Sequence, residues 1–370
     1  MLLIAVGRFY CANAAEDFFP IGVWLQHPTN AAKYRAAGFN TYVGLWQGPT
    51  AQQLDVLQSS GMRVICSQNE VALRHPAHTN IIAWMHEDEP DNSKALGARL
   101  GIGSTIPPSQ IVADYLRMKA RDPVRPVLLN LGQGVAWDGW RGRGRRNNHP
   151  EDYAEYVQGC DVASFGIYPV NHASGEVAGN LWILADGLGR LRKYSGGAKP
   201  CWTCIESTHI TTAGRRPAPA EVRAEVWMAL IHGARGIIYF AHQFEPTFME
   251  AALLADQKML SAITTLNQQI SELAGVINSP TVVNAVTVQS ATAAVPIAMM
   301  VKQHGGLTYL FAVAMRPGTN TAKFALSGVA AESVEVIGEH RSLRAEAGLF
   351  SDRFGPWEVH LYRVESGGNH

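Results

Sequence analysis

Ile81-Ile82-Ala83-Trp84-Met85-His86-Glu87-Asp88-Glu89-Pro90 sets five apolar residues in a row directly against a histidine and three acids. It is the fourth of eight such runs, each short and rich in β-branched and aromatic side chains. The others are Pro20 to Gln26, Asn40 to Trp46, Arg63 to Gln68, Pro126 to Asn130, Val162 to Tyr168, Pro200 to Ile205 and Gly236 to Ala241. Segments of helical period separate them, so the chain from Phe19 to about Phe244 has the rhythm of repeated βα units. Eight such units predict an α/β fold, a (β/α)8 TIM barrel with a parallel sheet closed on itself.

The helical segments carry their own signals. Thr50-Ala51-Gln52-Gln53 has the spacing of a capping box, with Leu54 and Leu57 as the buried stripe behind it. The helix Asn30 to Ala37 stops at Gly38, which tolerates the left-handed cap. Further helices are expected at Ser109–Ala120, Glu151–Val157, Leu181–Tyr194, Ala220–Gly233 and, unbroken, Ala251–Ile277, with a short third helix. From Ser279 the period changes to alternation, as in Thr308-Tyr309-Leu310-Phe311-Ala312-Val313, with turns at Gly305-Gly306 and Pro317-Gly318. Trp357 to Tyr362 makes the last strand, so a small C-terminal all-β sandwich domain is expected. The boundaries follow: 1–18 an N-terminal extension or signal remnant, 19–278 the catalytic barrel, 279–366 the β-sandwich, 367–370 a tail.

With 31 basic and 31 acidic side chains there is no overall field to hold nucleic acid or an anionic membrane, and an uncharged or weakly charged partner is expected. The apolar run at Met1–Val6 is far too short to span a bilayer. Met1 to Ala15, with Ala12-Asn13-Ala14 before Ala15-Glu16, has the form of a clipped export signal, which points to a secreted or periplasmic protein, the cytoplasm being the alternative. Five cysteines, Cys11, Cys66, Cys160, Cys201 and Cys204, have no disulfide-framework spacing and read as buried thiols. Cys201 and Cys204 share a strand, point to opposite faces and lack a second pair, so they are core residues rather than a metal site. No metal and no cofactor is expected.

Active sites of such barrels lie at the C-terminal ends of the strands. Acids fall there twice: Glu87-Asp88-Glu89 after the fourth run, and Glu206 after Cys201-Trp202-Thr203-Cys204-Ile205 in the seventh. Two carboxyl groups held on strand ends suit cleavage of a glycosidic bond, one protonating the leaving oxygen and the other attacking the anomeric carbon. In this arrangement the chain resembles the retaining glycoside hydrolases of clan A, whose acid/base follows strand four and whose nucleophile follows strand seven. The family's Asn-Glu-Pro corresponds to Asp88-Glu89-Pro90. The resemblance therefore implies Glu89 as acid/base and Glu206 as nucleophile, with Glu87 the rival acid, since strand alternation puts Glu87 and Glu89 on one face. Asp88 departs from the family's Asn, whose task at a sugar hydroxyl an ionised Asp performs only as acceptor. Tyr34 to Thr41 and Leu266 to Ala274 are similar to the first and last helices of these barrels.

Trp24, Trp46, His86, Asp88, Asn130, Trp137, Tyr168 and His242 sit where strand ends meet the cleft and are the expected sugar contacts, Tyr168 also as a donor to Glu206. Trp137-Asp138-Gly139-Trp140-Arg141-Gly142-Arg143-Gly144-Arg145-Arg146 joins two indoles to four arginines, a composition suited to an anionic or polymeric glycan. The expected partner is an oligosaccharide or polysaccharide, with a β-linkage preferred; sugar and oligomeric state are not legible. Two other readings compete: a non-catalytic carbohydrate-binding barrel, and a metal-dependent barrel hydrolase using His86, Asp88, His209 and His242, which lacks the usual His-x-His on its first strand.

Overall fold

The computed structural model describes residues 17–74, 79–93, 103–327 and 331–365. The signal-like stretch and the tail beyond Glu365 lie outside the described residues. Eight parallel strands close into a barrel: β1 (Ile21–Trp24), β2 (Thr41–Val43), β3 (Arg63–Ser67), β4 (Ile81–Asp88), β5 (Val127–Leu131), β6 (Val162–Gly166), β7 (Cys201–Glu206) and β8 (Ile237–Phe240), with β8 returning to pair with β1. Around them run α1 (Ala31–Ala36), α2 (Ala51–Ser59), α3 (Glu70–Arg74), α4 (Pro108–Arg121), α5 (Tyr153–Tyr156), α6 (Trp182–Tyr194) and α7 (Pro219–Ile231).

The local signals act as their chemistry requires. Thr50 Oγ1 accepts from the Gln53 backbone N–H at 3.2 Å while Gln53 Oε1 accepts from that of Thr50 at 2.9 Å, closing the capping box of α2. Gly38 ends α1 at φ +80°, where a Cβ would be strained. The long helix expected from Ala251 to Ile277 is instead three pieces, α8 (Ala252–Ala255), α9 (Gln257–Glu272) and α10 (Ala274–Asn278). The Asp256 carboxylate caps the Met259 N–H at 3.0 Å and starts a new helix there.

Side chains alternate across the barrel wall. Val43, Ile65, Ala83, Leu128, Cys204 and Ile238 fill the lumen, while Tyr42, Val64, Trp84, Leu129, Cys201 and Ile237 face the helices. Cys201 and Cys204 thus do point to opposite sides. The described cysteines are free and buried, and burial pushes the Cys66 and Cys160 thiols up to about 12.

The C-terminal region is a sandwich of two antiparallel sheets. It comprises β9 (Val286–Ser290), β10 (Ile297–His304), β11 (Leu307–Ala314), β12 (Asn320–Leu326), β13 (Ser333–Val336), β14 (Arg341–Arg344), β15 (Leu349–Phe354) and β16 (Val359–Glu365). The sheet orders are β10-β11-β16-β13-β14 and β15-β12-β9, enclosing Leu310, Phe324, Phe350, Phe354 and Tyr362. Gly305 and Gly306, at φ +57° and +77°, make the tight turn between β10 and β11. Trp357 lies before the last strand, at φ +58°. The sandwich rests on α7, where Trp227 meets Phe311 with ring centroids 5.1 Å apart, so it braces the barrel from outside, away from the strand ends. Among the described residues no helix is long and apolar enough to cross a membrane.

Candidate active site

The acids after β4 owe their placement to a break in the ladder. Met85 pairs with Leu128 but the next pair is Asp88 with Asn130, so three residues on β4 span two on β5. This bulge overrides simple alternation, under which Glu87 and Glu89 would share a face. Asn130 Nδ2 donates to Asp88 Oδ1 at 2.9 Å, bringing Asp88 over the lumen. The chain then turns sharply: Glu89 has φ +44°, an uncommon and strained conformation for a side-chain-bearing residue and one that concentrates at functional sites. Its backbone is pinned by the Glu89 N–H to the Asn130 carbonyl (2.9 Å) and the Asn92 N–H to the Glu89 carbonyl (3.0 Å).

Asn92 Nδ2 donates to Glu89 Oε2 at 2.6 Å, and the amide is itself oriented by the Trp140 indole N–H, which donates to Asn92 Oδ1 at 2.7 Å. Burial, reinforced by the negative charges of Asp88 and Asp91, pushes the Glu89 carboxyl up to about 8, against the opposing pull of Asn92. Residue 88 is solvent-accessible overall, yet its carboxyl is crowded by protein; burial raises it to about 6, with Asn130 opposing and Asp91 and Glu87 adding to the rise. Asp91 is fully buried beneath the pair, accepting from the Gly132 N–H at 2.8 Å and the Tyr153 hydroxyl at 2.7 Å.

Glu206 ends β7 as expected, but its carboxylate does not stand in an open cleft facing Glu89. It is fully buried. Oε1 accepts from the Val170 N–H at 2.6 Å, and Oε2 from the Asn171 N–H at 2.9 Å and Asn171 Nδ2 at 2.5 Å. Glu225, wholly buried on the apolar helix α7, brings its carboxyl against Glu206, and burial followed by the charge of Glu206 raises it well above the carboxylate range. No other donor from the described residues reaches the Glu225 oxygens, so a neutral Glu225 sharing its proton with Glu206 is the arrangement that satisfies both. Glu206 is also raised by burial, its hydrogen bonds opposing. In this conformation Glu206 ties the loop after β6 to β7. The expected Tyr168 donation to Glu206 is not made: the Glu206 oxygens are taken by Val170 and Asn171, and the Tyr168 hydroxyl is raised by burial and then by its neighbours Cys204, Glu89, Asp88 and Glu206.

The other expected sugar contacts divide. Asp88, Asn130 and Tyr168 come together around Glu89. Trp24 packs among the lumen residues and is 7% exposed. His86 turns away from the mouth, its Nε2 3.1 Å from the Ile111 carbonyl on α4 and its Nδ1 accepting from the Glu87 N–H, because the strand position before the bulge faces outward. His242 is buried, its Nε2 3.3 Å from Gln26 Nε2. Trp46 projects from the loop after β2 and is 70% exposed. Trp137 packs edge-on to His172 at 5.2 Å and donates from its indole to Glu176 at 2.7 Å.

The arginine-rich loop is in part a structural clamp. Arg143, 2% exposed, binds Asp152 at 2.6 Å and the His149 carbonyl at 2.7 Å and lies 4.8 Å over the Tyr153 ring. It is out of reach of any glycan. The four groups of the metal-hydrolase reading do not converge: His86 is turned to α4, His209 Nε2 is 3.1 Å from the Gly214 carbonyl, and His242 meets Gln26. Among the described residues no cluster of three or more His, Cys, Asp or Glu side chains is placed to hold a metal ion.

Trp140 is expected from the sequence as a glycan contact of the arginine-rich loop but not as the residue that orients Asn92, whereas Asn92, Asn171 and Glu225 escaped the sequence reading as parts of the site. Only Glu225 left a signal, an acid on the apolar face of Ala224-Glu225-Val226-Trp227-Met228.

No family model matches the sequence, and no curated protein matches it either. Among solved structures the fold is similar to a putative alpha-galactosidase from Bacteroides fragilis (TM-score 0.54, 9% identity, 94% of this chain and 79% of that one). It is also similar to an alpha-amylase from Geobacillus thermoleovorans complexed with acarbose (TM-score 0.51, 9% identity, 96% of this chain and all of that one). At such identity the likeness is one of fold.

Proposed function

We propose that this chain is a glycoside hydrolase acting on an oligosaccharide or polysaccharide, with Glu89 as its acid/base. One observation carries the reading: at the C-terminal mouth of the barrel two adjacent carboxyls are held by different partners, Asp88 by Asn130 and Glu89, on a backbone at φ +44°, by Asn92, and burial raises them unequally, to about 6 and about 8. Near neutral pH Glu89 then holds a proton to give to a leaving oxygen while Asp88 is an anion beside it, the division of labour that glycoside cleavage needs. Glu89→Gln tests it. Turnover of glycosides with poor leaving groups should fall by at least about a hundredfold, and aryl glycosides whose leaving group needs no proton should lose far less. Equal losses on both would remove Glu89 from the role, and failure of the wild-type chain to turn over any glycoside would favour a carbohydrate-binding barrel.

The retaining course on a β-linkage gives the nucleophile's part to Glu206, which ends the strand from which this acid comes in similar enzymes. Its carboxylate reaches an anomeric carbon only if the Val170 and Asn171 donors let go. Rescue of Glu206→Ala by azide, with an inverted glycosyl azide as product, would support that part. A second reading rests on Asp88, the carboxylate beside Glu89 that needs no such release. There Asp88 stabilises the oxocarbenium-like charge or orients the attacking group, and Asp88→Asn, not Glu206→Gln, abolishes turnover.

A further inference from the structure

Aromatic rings leave the acid in two directions. On one side Tyr168 packs on Phe240 at 5.3 Å, Phe240 on His242 at 5.1 Å, His242 parallel to Phe244 at 6.1 Å, and Phe244 on Phe248 at 5.8 Å. The outer two rings sit on a short protrusion whose base is closed by paired backbone hydrogen bonds between Gln243 and Met249, 3.0 and 2.9 Å. It is tied down further by Phe244 N–H to the Ile210 carbonyl at 2.7 Å and by Glu245 accepting from the Thr212 N–H and hydroxyl. Phe244 and Phe248 are nonetheless 50% and 58% exposed. A braced protrusion that holds apolar rings in water at the rim of a site is the mark of a ligand surface. On the other side Trp137, Trp140 and His172 cluster at 5.2 to 6.4 Å, and Trp140 is one hydrogen-bonded residue, Asn92, from Glu89.

The tryptophan wall is joined to the acid through Asn92, and the other wall starts at Tyr168, past the end of β6 and within reach of the charge of Glu89. From this we infer that the site takes a polysaccharide chain laid through it, with sugar rings stacked on both sides of the bond to be cut, so that the enzyme acts on internal linkages. Pyranose rings suit such walls: their C–H faces stack on aromatic faces, while their hydroxyls find the polar edges offered by Glu176 and His172. The inference rests on the hydrolase reading for the cut itself but not for the binding.

Native affinity electrophoresis of the full chain, in gels containing soluble starch, xylan, galactomannan or arabinogalactan, tests it together with chromatography of early digestion products. At least one polymer should retard the wild-type protein. Phe244→Ala/Phe248→Ala and, separately, Trp137→Ala should each weaken that retardation by about tenfold in apparent Kd, and early products should be oligosaccharides of mixed length. No retardation in any gel, retardation indifferent to both variants, or release of monosaccharide alone would each overturn it. If aryl glycosides are hydrolysed while no gel retards the chain, the track fails and the hydrolase stands. Retardation through the phenylalanines without any glycoside turnover overturns internal cleavage and leaves a polysaccharide-binding groove.

Discussion

Replacing Glu89 by glutamine should make the protein more stable above pH 8 while stripping it of its acid. A carboxyl ordinarily near 4.5 is held at about 8 in the folded chain. Below pH 4.5 it is protonated in both folded and unfolded states and stability is indifferent to it. Between 4.5 and 8 the unfolded chain releases this proton and the folded chain keeps it, so stability falls as pH rises. Above 8 the loss is complete. At 1.36 kcal/mol per pH unit the ceiling is about 5 kcal/mol, and water reaching the mouth reduces it to roughly 2 kcal/mol. Glutamine keeps an oxygen for Asn92 to donate to and never ionises. Urea midpoints of wild type and Glu89→Gln should therefore nearly coincide at pH 4.5 and diverge, with the variant more stable, at pH 8.5. Parallel midpoints across that range would refute the claim that Asp88, Asp91 and burial strain the ionised form. Stability gained by removing an acid is what a strained functional group leaves behind.

The same two carboxyls predict a bell-shaped pH dependence of kcat/KM, with an acid limb near 6 from Asp88 and an alkaline limb near 8 from Glu89; a flat profile from pH 5 to 9 would contradict both roles. Asn92→Ala removes a donor that favours the ionised form of Glu89, so its alkaline limb should move up while kcat falls, and a limb that moves down would reverse the sign of that contact. Glu206→Ala leaves the Val170 and Asn171 donors and Glu225 buried without their acceptor, which should cost about 3 kcal/mol in chemical denaturation, with Glu206→Gln milder. Arg143→Ala removes a buried guanidinium that holds the His149 carbonyl and packs on Tyr153, while Arg146 keeps its own bonds to Asp152, so it should cost about 2 kcal/mol, whereas Arg141→Ala, on the surface, should cost under about 0.5 kcal/mol.

Eight strands were legible in the sequence because a barrel strand needs a short apolar run whichever way its side chains point. The period change after Ser279 likewise marks the sandwich, and the capping residues Thr50 and Gln53 act through neighbours three residues away. What sequence could not supply was anything set by registry between strands. A single extra residue on β4, visible only against Leu128 and Asn130 of β5, decides that Asp88 leans over the lumen instead of facing outward with His86. The burial of Glu206 depends on Asn171 and Glu225, 35 residues before it in the chain and 19 after. Trp140 reaches Glu89 through Asn92 across 48 residues. Local chemistry writes the elements into the chain, but the value of a carboxyl's pKa and its access to solvent are sums over neighbours that only folding brings near.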